Sequence, residues 1–182
     1  MTNKGFTLIE LLAAIAIIGL LAAIIVPNIG KRSPKESRAK TLAKLNGMVQ
    51  LAWRNAIVTN KIHSIKFNLK DGAISVEIAT GKYKKGEPTF KPLDRSYIST
   101  EMAWPNNLEV KQFIIEGKDE IKIRGRTDIS SWFYIMPDGL AQDVIVNFID
   151  TKDLQPDEQP KTFGLVLNPF NAQFKVYDTF QK

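Results

Sequence analysis

Gly5-Phe6-Thr7-Leu8-Ile9-Glu10-Leu11-Leu12 opens the stretch that decides the fold; beyond it the chain stays apolar and uncharged to Val26, with Pro27 behind it. Glu10 is the only charge from Phe6 to Val26. As an α-helix these residues rise about 32 Å at about 1.5 Å each, enough for a hydrocarbon layer about 30 Å thick. The run is too long for a secretory signal peptide, and Val26-Pro27-Asn28 is not a small-residue cleavage site. A plain membrane anchor explains the length but not the carboxylate. An ionised side chain inside such a helix costs roughly 3 kcal/mol by insertion scales and calls for a partner. The spacing of Phe6 and Glu10 puts both on one helix face. Ala13, Ala14, Ala16, Gly19, Ala22 and Ala23 are small enough to let a second helix approach closely.

Lys4, the Gly5-Phe6 junction, the apolar run, Glu10 and Pro27 together resemble the type IV prepilin signature. That family includes type IV pilins, minor pilins and the pseudopilins of type II secretion. The resemblance implies a leader over residues 1–5, a transmembrane helix over 6–27 and a periplasmic pilin-like domain over 28–182, held at the inner membrane by a single pass. It also implies cleavage after Gly5 and N-methylation of Phe6 by a prepilin peptidase/N-methyltransferase. Gly5 offers that peptidase no side chain to obstruct it. The new Phe6 terminus would carry an α-ammonium group, and a carboxylate and an ammonium in low dielectric offset each other's burial. Glu10 is therefore expected to serve assembly, by pairing within one chain or between neighbours.

Beyond the run, Pro27, Asn28 and Gly30 interrupt the helical pattern, with a helix bend expected at Pro27. Ser33-Pro34-Lys35-Glu36 reads as a helix restart: a capping Ser, a Pro at the first helical position and a Glu that completes a capping box. Leu42, Leu45, Val49, Ala52 and Ala56 then form one apolar face, with Lys40, Lys44 and Arg54 off it, so a second helix is expected over about 34–59. After Asn60 the period becomes two. Ile65–Leu69 and Ile74–Ile78 flank Asp71-Gly72 as a hairpin. Residues 81–107, with Pro88, Pro92 and Pro105 and little periodicity, read as a long loop. Further strands are expected at Leu108–Ile115, Ile121–Arg124, Trp132–Ile135 and Val144–Ile149. A polar, acidic loop follows over Thr151–Lys161, and Phe163–Leu167 with Gln173–Tyr177 close the chain as a hairpin. The fold class is α+β: a long N-terminal helix, transmembrane in its first half, packed on a β-rich C-terminal domain of antiparallel sheets (residues 62–178). Trp132-Phe133-Tyr134-Ile135-Met136-Pro137-Asp138-Gly139 ahead of a strand and a final hairpin is similar to the H-type pseudopilin group.

The net charge of +6, with a sequence pI near 9.4, gathers next to the anchor. Lys31, Arg32, Lys35, Arg38, Lys40 and Lys44 make a basic cluster suited to membrane lipid headgroups or to acidic neighbours. Simple counting by the positive-inside rule would put this side in the cytoplasm, against the orientation that the resemblance implies. Lys122-Ile123-Arg124-Gly125-Arg126 can contact phosphates, but a strand end with solvated charges is the preferred reading, and no nucleic-acid partner is expected. Asp150, Asp153, Asp157 and Glu158 lack the alternation of a calcium loop and read as solvated. His63 is the only histidine and there is no cysteine, so a zinc site, a Cys-His pair and a disulfide are excluded. No Ser-His-acid triad is evident, and neither an enzyme nor a cofactor is expected. Many fibre-forming major pilins close a C-terminal loop with a disulfide, so the missing cysteines point to a pseudopilin or minor subunit. The expected function is that of a minor pseudopilin of a type II secretion system. Its partners would be other pseudopilins and the inner-membrane assembly platform. The alternative is a minor type IV pilin of a pilus or DNA-uptake machine.

Overall fold

A computed structural model of the chain describes residues 7–29, 33–94, 98–124 and 130–182, with the side chains of 24–29 and 124 outside the description. Two compact units divide the chain at Ser37/Arg38. In the first, α1 spans Leu8–Ile29. It therefore continues through Pro27 and Asn28, where the sequence pattern reads as interrupted: proline's fixed φ is itself helical, so near a helix end it removes little more than one hydrogen bond. The described apolar side chains of α1 are exposed all round, as in a helix that needs cover from lipid or from other helices. Residues 30–32, where the two helical patterns join, lie outside the description.

Helix α2 spans Pro34–Thr59, with the expected bounds. Ser33 Oγ accepts the Glu36 N–H at 3.2 Å, the expected cap. Leu45, Met48, Val49, Ala52 and Ala56 are buried on one face.

Two antiparallel sheets follow. The first has the order β3-β2-β1-β7, with β4 also on β2, where β1 is His63–Asn68, β2 Ala73–Lys84, β3 Glu87–Pro92, β4 Glu101–Ala103 and β7 Ser130–Ile135. The second has the order β10-β9-β8-β5-β6, with β5 Leu108–Ile115, β6 Lys118–Asp119, β8 Val144–Leu154, β9 Pro160–Asn168 and β10 Gln173–Tyr177. The two share one core. Phe67 of the first sheet meets Phe113 of the second edge-on, with ring centroids 4.9 Å apart, and Phe133 meets Phe174 at 6.1 Å. Such contacts add to burial by about 0.5–1.5 kcal/mol each.

Three expectations are corrected. Residues 81–107 are not one long loop: β2 runs on to Lys84 and pairs with β3, and β4 follows. Pro88 and Pro92 fit because β3 is an edge strand with one side free of ladder bonds. Ile121–Arg124 is not a strand. It belongs to the short helix α3, Glu120–Arg124, whose start is fixed by Asp119 Oδ1 accepting the Ile121 N–H at 3.1 Å. The acidic loop shrinks to Gln155–Gln159, because β8 continues to Leu154 and β9 begins at Pro160. There Gln155 N–H donates to Gln159 O at 2.8 Å, and the polar side chains face solvent on strand ends as readily as in a loop.

Polar side chains hold α2 on the sheets. Asn46 donates from Nδ2 to Phe174 O at 3.0 Å and accepts the Phe174 N–H on Oδ1 at 2.7 Å, pairing with the edge strand β10 as a further strand would. Gln50 donates to Asn171 O and Ala172 O. Trp53 Nε1 donates to Gly139 O at 2.7 Å, in the turn after β7.

Candidate functional site

The residues that the sequence offers as a candidate site lie at the amino terminus. Gly5 and Phe6 lie outside the described residues, and so does the proposed pairing of Glu10 with the Phe6 ammonium. Glu10 itself is described. Its Oε2 accepts the Thr7 N–H and the Thr7 hydroxyl, each at 2.9 Å, while Thr7 Oγ1 accepts the Glu10 N–H at 3.3 Å. This is a reciprocal capping box closing the first turn of α1. The Thr-x-x-Glu pattern announces it in the sequence as plainly as Ser33-Pro34-Lys35-Glu36 does, but the apolar context draws attention to the charge alone. The box is compatible with processing, because the Thr7 N–H belongs to the Phe6–Thr7 peptide, which cleavage after Gly5 leaves intact. Among the described residues no helix is long and apolar enough to cross a membrane. In α1 the described side chains end at Ala23, whereas the apolar run of the sequence continues to Val26.

The basic cluster is not uniform. Lys31 and Arg32 lie outside the described residues, and Lys35, Lys40 and Lys44 are exposed. Arg38 is committed elsewhere: its guanidinium lies 2.8 Å from Asp150 Oδ2 and 2.5 Å from Asp153 Oδ2, and 5.5 Å above the Phe163 ring. Asp150 also accepts from Asn107 Nδ2 at 2.7 Å and from the Lys152 N–H at 3.1 Å. The expectation that Asp150 and Asp153 are solvated therefore fails. Asp150 is fully buried, because β8 extends past Ile149 and carries the carboxylate beneath α2. Burial alone would raise the Asp150 carboxyl; the hydrogen bonds of Asn107, Arg38 and Lys152 outweigh it and hold the group below the usual carboxylate range. For Arg38, burial pulls the guanidinium down and the two aspartates more than restore it.

His63 is fully buried, with Nδ1 3.0 Å from Lys61 O. Burial pushes its pKa down, so the ring is neutral and Nδ1–H donates to that carbonyl. No group of three or more His, Asp or Glu suited to a metal occurs among the described residues. Lys122 and Ile123 are exposed on α3, and Gly125 and Arg126 lie outside the description. The Trp132–Gly139 stretch is β7 and its turn. Gly139 has φ +84, and a Cβ there would come within 3.2 Å of Ile57 Cδ1.

These features define a chain with an apolar, capped amino-terminal helix and, later in the sequence, a two-sheet domain built on a second helix. Residues 1–26 match the prokaryotic N-terminal methylation motif. The type IV major pilin protein PilA of Myxococcus xanthus is 57% identical over 44 residues, which cover 23% of this chain and 20% of that protein. The type II secretion system core protein G of Aeromonas hydrophila is 27% identical over 95 residues, covering 52% of this chain and 58% of that protein. The chain thus spans from a fifth to under two thirds of the length of these curated relatives. Its fold matches the crystal structure of the minor pseudopilin EpsH from the type II secretion system of Vibrio cholerae, with TM-score 0.54 and 12% identity, covering 82% of this chain and 99% of that one. The chain is type IV pilin-like in its amino-terminal segment and pseudopilin-like in its fold.

Proposed function

We propose that the chain is a minor pseudopilin of a type II secretion system, a structural subunit with no turnover of its own. The observation that carries this reading is the pairing of the methylation motif with the EpsH-like fold over most of the chain. In this reading a prepilin peptidase cuts after Gly5 and Phe6 becomes N-methylated. The run from Phe6 to Pro27 anchors the subunit in the inner membrane by a single pass. Residues 28–182 lie in the periplasm and assemble with other pseudopilins on the inner-membrane platform. A minor type IV pilin is the second reading, favoured by the 57% identity over 44 residues to a major pilin. Deleting the gene separates the two: loss of protein export with surface pili intact supports the first, and loss of pili or of DNA uptake with export intact refutes it.

Glu10 has two roles in this reading, the cap seen here and the charge pair with a Phe6 ammonium. Glu10→Gln keeps a side chain that closes a capping box but removes the charge. If the charge directs assembly, Glu10→Gln is cleaved and methylated normally yet fails to co-assemble. Normal co-assembly at matched expression would confine Glu10 to capping. Mass spectrometry of the assembled subunit reads the terminus directly, and an intact Met1 there would refute the processing scheme.

A further inference from the structure

The outer part of β2 and β3 forms a ribbon that the function above leaves unused. β1 pairs with β2 only as far as His63↔Ile78, and β2 then continues from Ala79 to Lys84 with β3 as its strand partner. Gly81–Glu87 is exposed throughout. An isolated two-stranded ribbon is marginal in water, but this one is fastened. Thr89 Oγ1 lies 2.6 Å from Thr80 Oγ1 and donates to Lys82 O at 3.0 Å, across the register shift between Ala79 and Tyr83. Extra residues on one strand bend a ribbon at such a point. The tip, Lys85-Gly86, has φ +53 and +83, the two positive values that a type I′ hairpin requires.

Lys85 is the informative residue. Asn or Gly adopts that backbone more readily than Lys, and Lys85 is exposed, so core packing does not select it. Lys82 and Lys84 share one face of the ribbon by strand periodicity, and Lys91 stands near its base. Glu87, beside Lys84, is the only acid among them. The opposite face carries Tyr83, 71% exposed, next to Pro88.

We propose that this ribbon is an arm that docks on an acidic surface of a different protein subunit in the assembly, a reading that rests on the assembly function above. The charge calls for an anionic partner. The cations from Lys82 to Lys91 are all lysines, whereas phosphate recognition favours the planar fork of arginine. The ribbon also offers an aromatic face behind the cationic one. A protein cleft covers both, with tyrosine as an anchor and lysines at the rim.

The test places a photo-crosslinking amino acid at Tyr83 in the full-length chain, in cells of its host. The expected product is a crosslink to a second pilin-like subunit, mapped by mass spectrometry to an acidic surface. Lys82→Glu, Lys84→Glu and Lys85→Glu together should lower its yield about tenfold or more, and Asp/Glu→Lys changes at the mapped surface should restore it. An unchanged thermal melt shows that the triple variant folds. Crosslinks only to other copies of this chain, or a yield indifferent to charge reversal, would overturn the proposal. So would binding of short duplex DNA at about 50 mM salt, or of vesicles rich in anionic lipid, that the triple change abolishes. If Phe6 is methylated and export depends on the gene, yet no such crosslink forms, the arm is refuted and the assembly reading stands. If export and methylation fail the test, the assembly reading falls first.

Discussion

Arg38→Met is the sharpest probe of what holds α2 to the sheets. The Arg38 side chain is 13% exposed and that of its partner Asp150 is 0% exposed, so the substitution leaves a buried carboxylate without its cation. Removing one member of a buried ion pair typically costs about 3–5 kcal/mol. Asn107 and the Lys152 N–H still bind Asp150, which favours the lower end, while loss of the cation above the Phe163 ring adds about 0.5–1 kcal/mol. We expect a loss of roughly 3–4 kcal/mol, a large share of the about 5–15 kcal/mol that holds a typical domain. Urea unfolding followed by tryptophan fluorescence reads it as a lower midpoint at unchanged slope. Arg38→Met combined with Asp150→Asn should cost less than the two single changes summed, because the second removes the charge that the first strands. The pH dependence has a fixed sign. The folded-state pKa of Asp150 lies below its unfolded value of about 3.8, so its contribution is complete above that value and is lost as pH falls through the folded pKa. Wild type should therefore lose stability more steeply than Asp150→Asn below about pH 4. A cost for Arg38→Met under about 1 kcal/mol, or an acid limb identical in the two proteins, would refute the buried-pair account.

Three further changes probe other contacts. His63 is held neutral with its folded pKa below the usual 6.5, so stability is complete above that value and falls as the pH drops through the folded pKa; thermal melts of His63→Gln should be flatter between about pH 7 and 5. Gly139→Ala forces a left-handed residue to carry a Cβ against Ile57, and should lower stability by about 1–3 kcal/mol in chemical denaturation. Asn46→Ala leaves the Phe174 N–H and C=O without their α2 partner; a loss of about 2 kcal/mol is expected, with faster amide exchange at Phe174.

Where the sequence states a period and a terminator together, its reading holds. Ser33, Pro34 and the spaced apolar residues fix α2 at both ends, and Leu108–Ile115 and Gln173–Tyr177 keep the bounds that alternation gives them. Where the outcome depends on what lies alongside, the sequence is silent. Proline reads as a loop signal until the strand is known to be an edge, as at Pro88 and Pro92. Ile121 and Ile123 alternate as in a strand, but a single capping bond from Asp119 turns the segment into a helix with Ile123 64% exposed. The partner of Asp150 is more than a hundred positions away, at Arg38, so no local pattern separates this carboxylate from the solvated Asp157. Glu10 stands out in the sequence for the opposite reason: a carboxylate in an apolar run is anomalous whatever surrounds it, and the structure describes its cap with Thr7.

The polar contacts of α2 bear on more than stability. Leu45, Val49, Ala52 and Ala56 give the helix an apolar stripe, and apolar burial is non-directional, so a stripe alone permits small rotations and slides. Asn46, Gln50 and Trp53 follow at helical spacing beside it, and each bonds to a backbone atom of the sheets or their turns. Backbone acceptors cannot move without moving the strands. These bonds therefore select one rotation and one axial position of the helix, and Arg38 adds a fourth fixed point toward its amino-terminal end. Asn46→Ala should therefore change helix orientation, read by crosslinks or spin-label distances, in addition to its cost in stability. An apolar replacement at Leu42, half-buried at the margin of the core, should instead change stability without changing orientation.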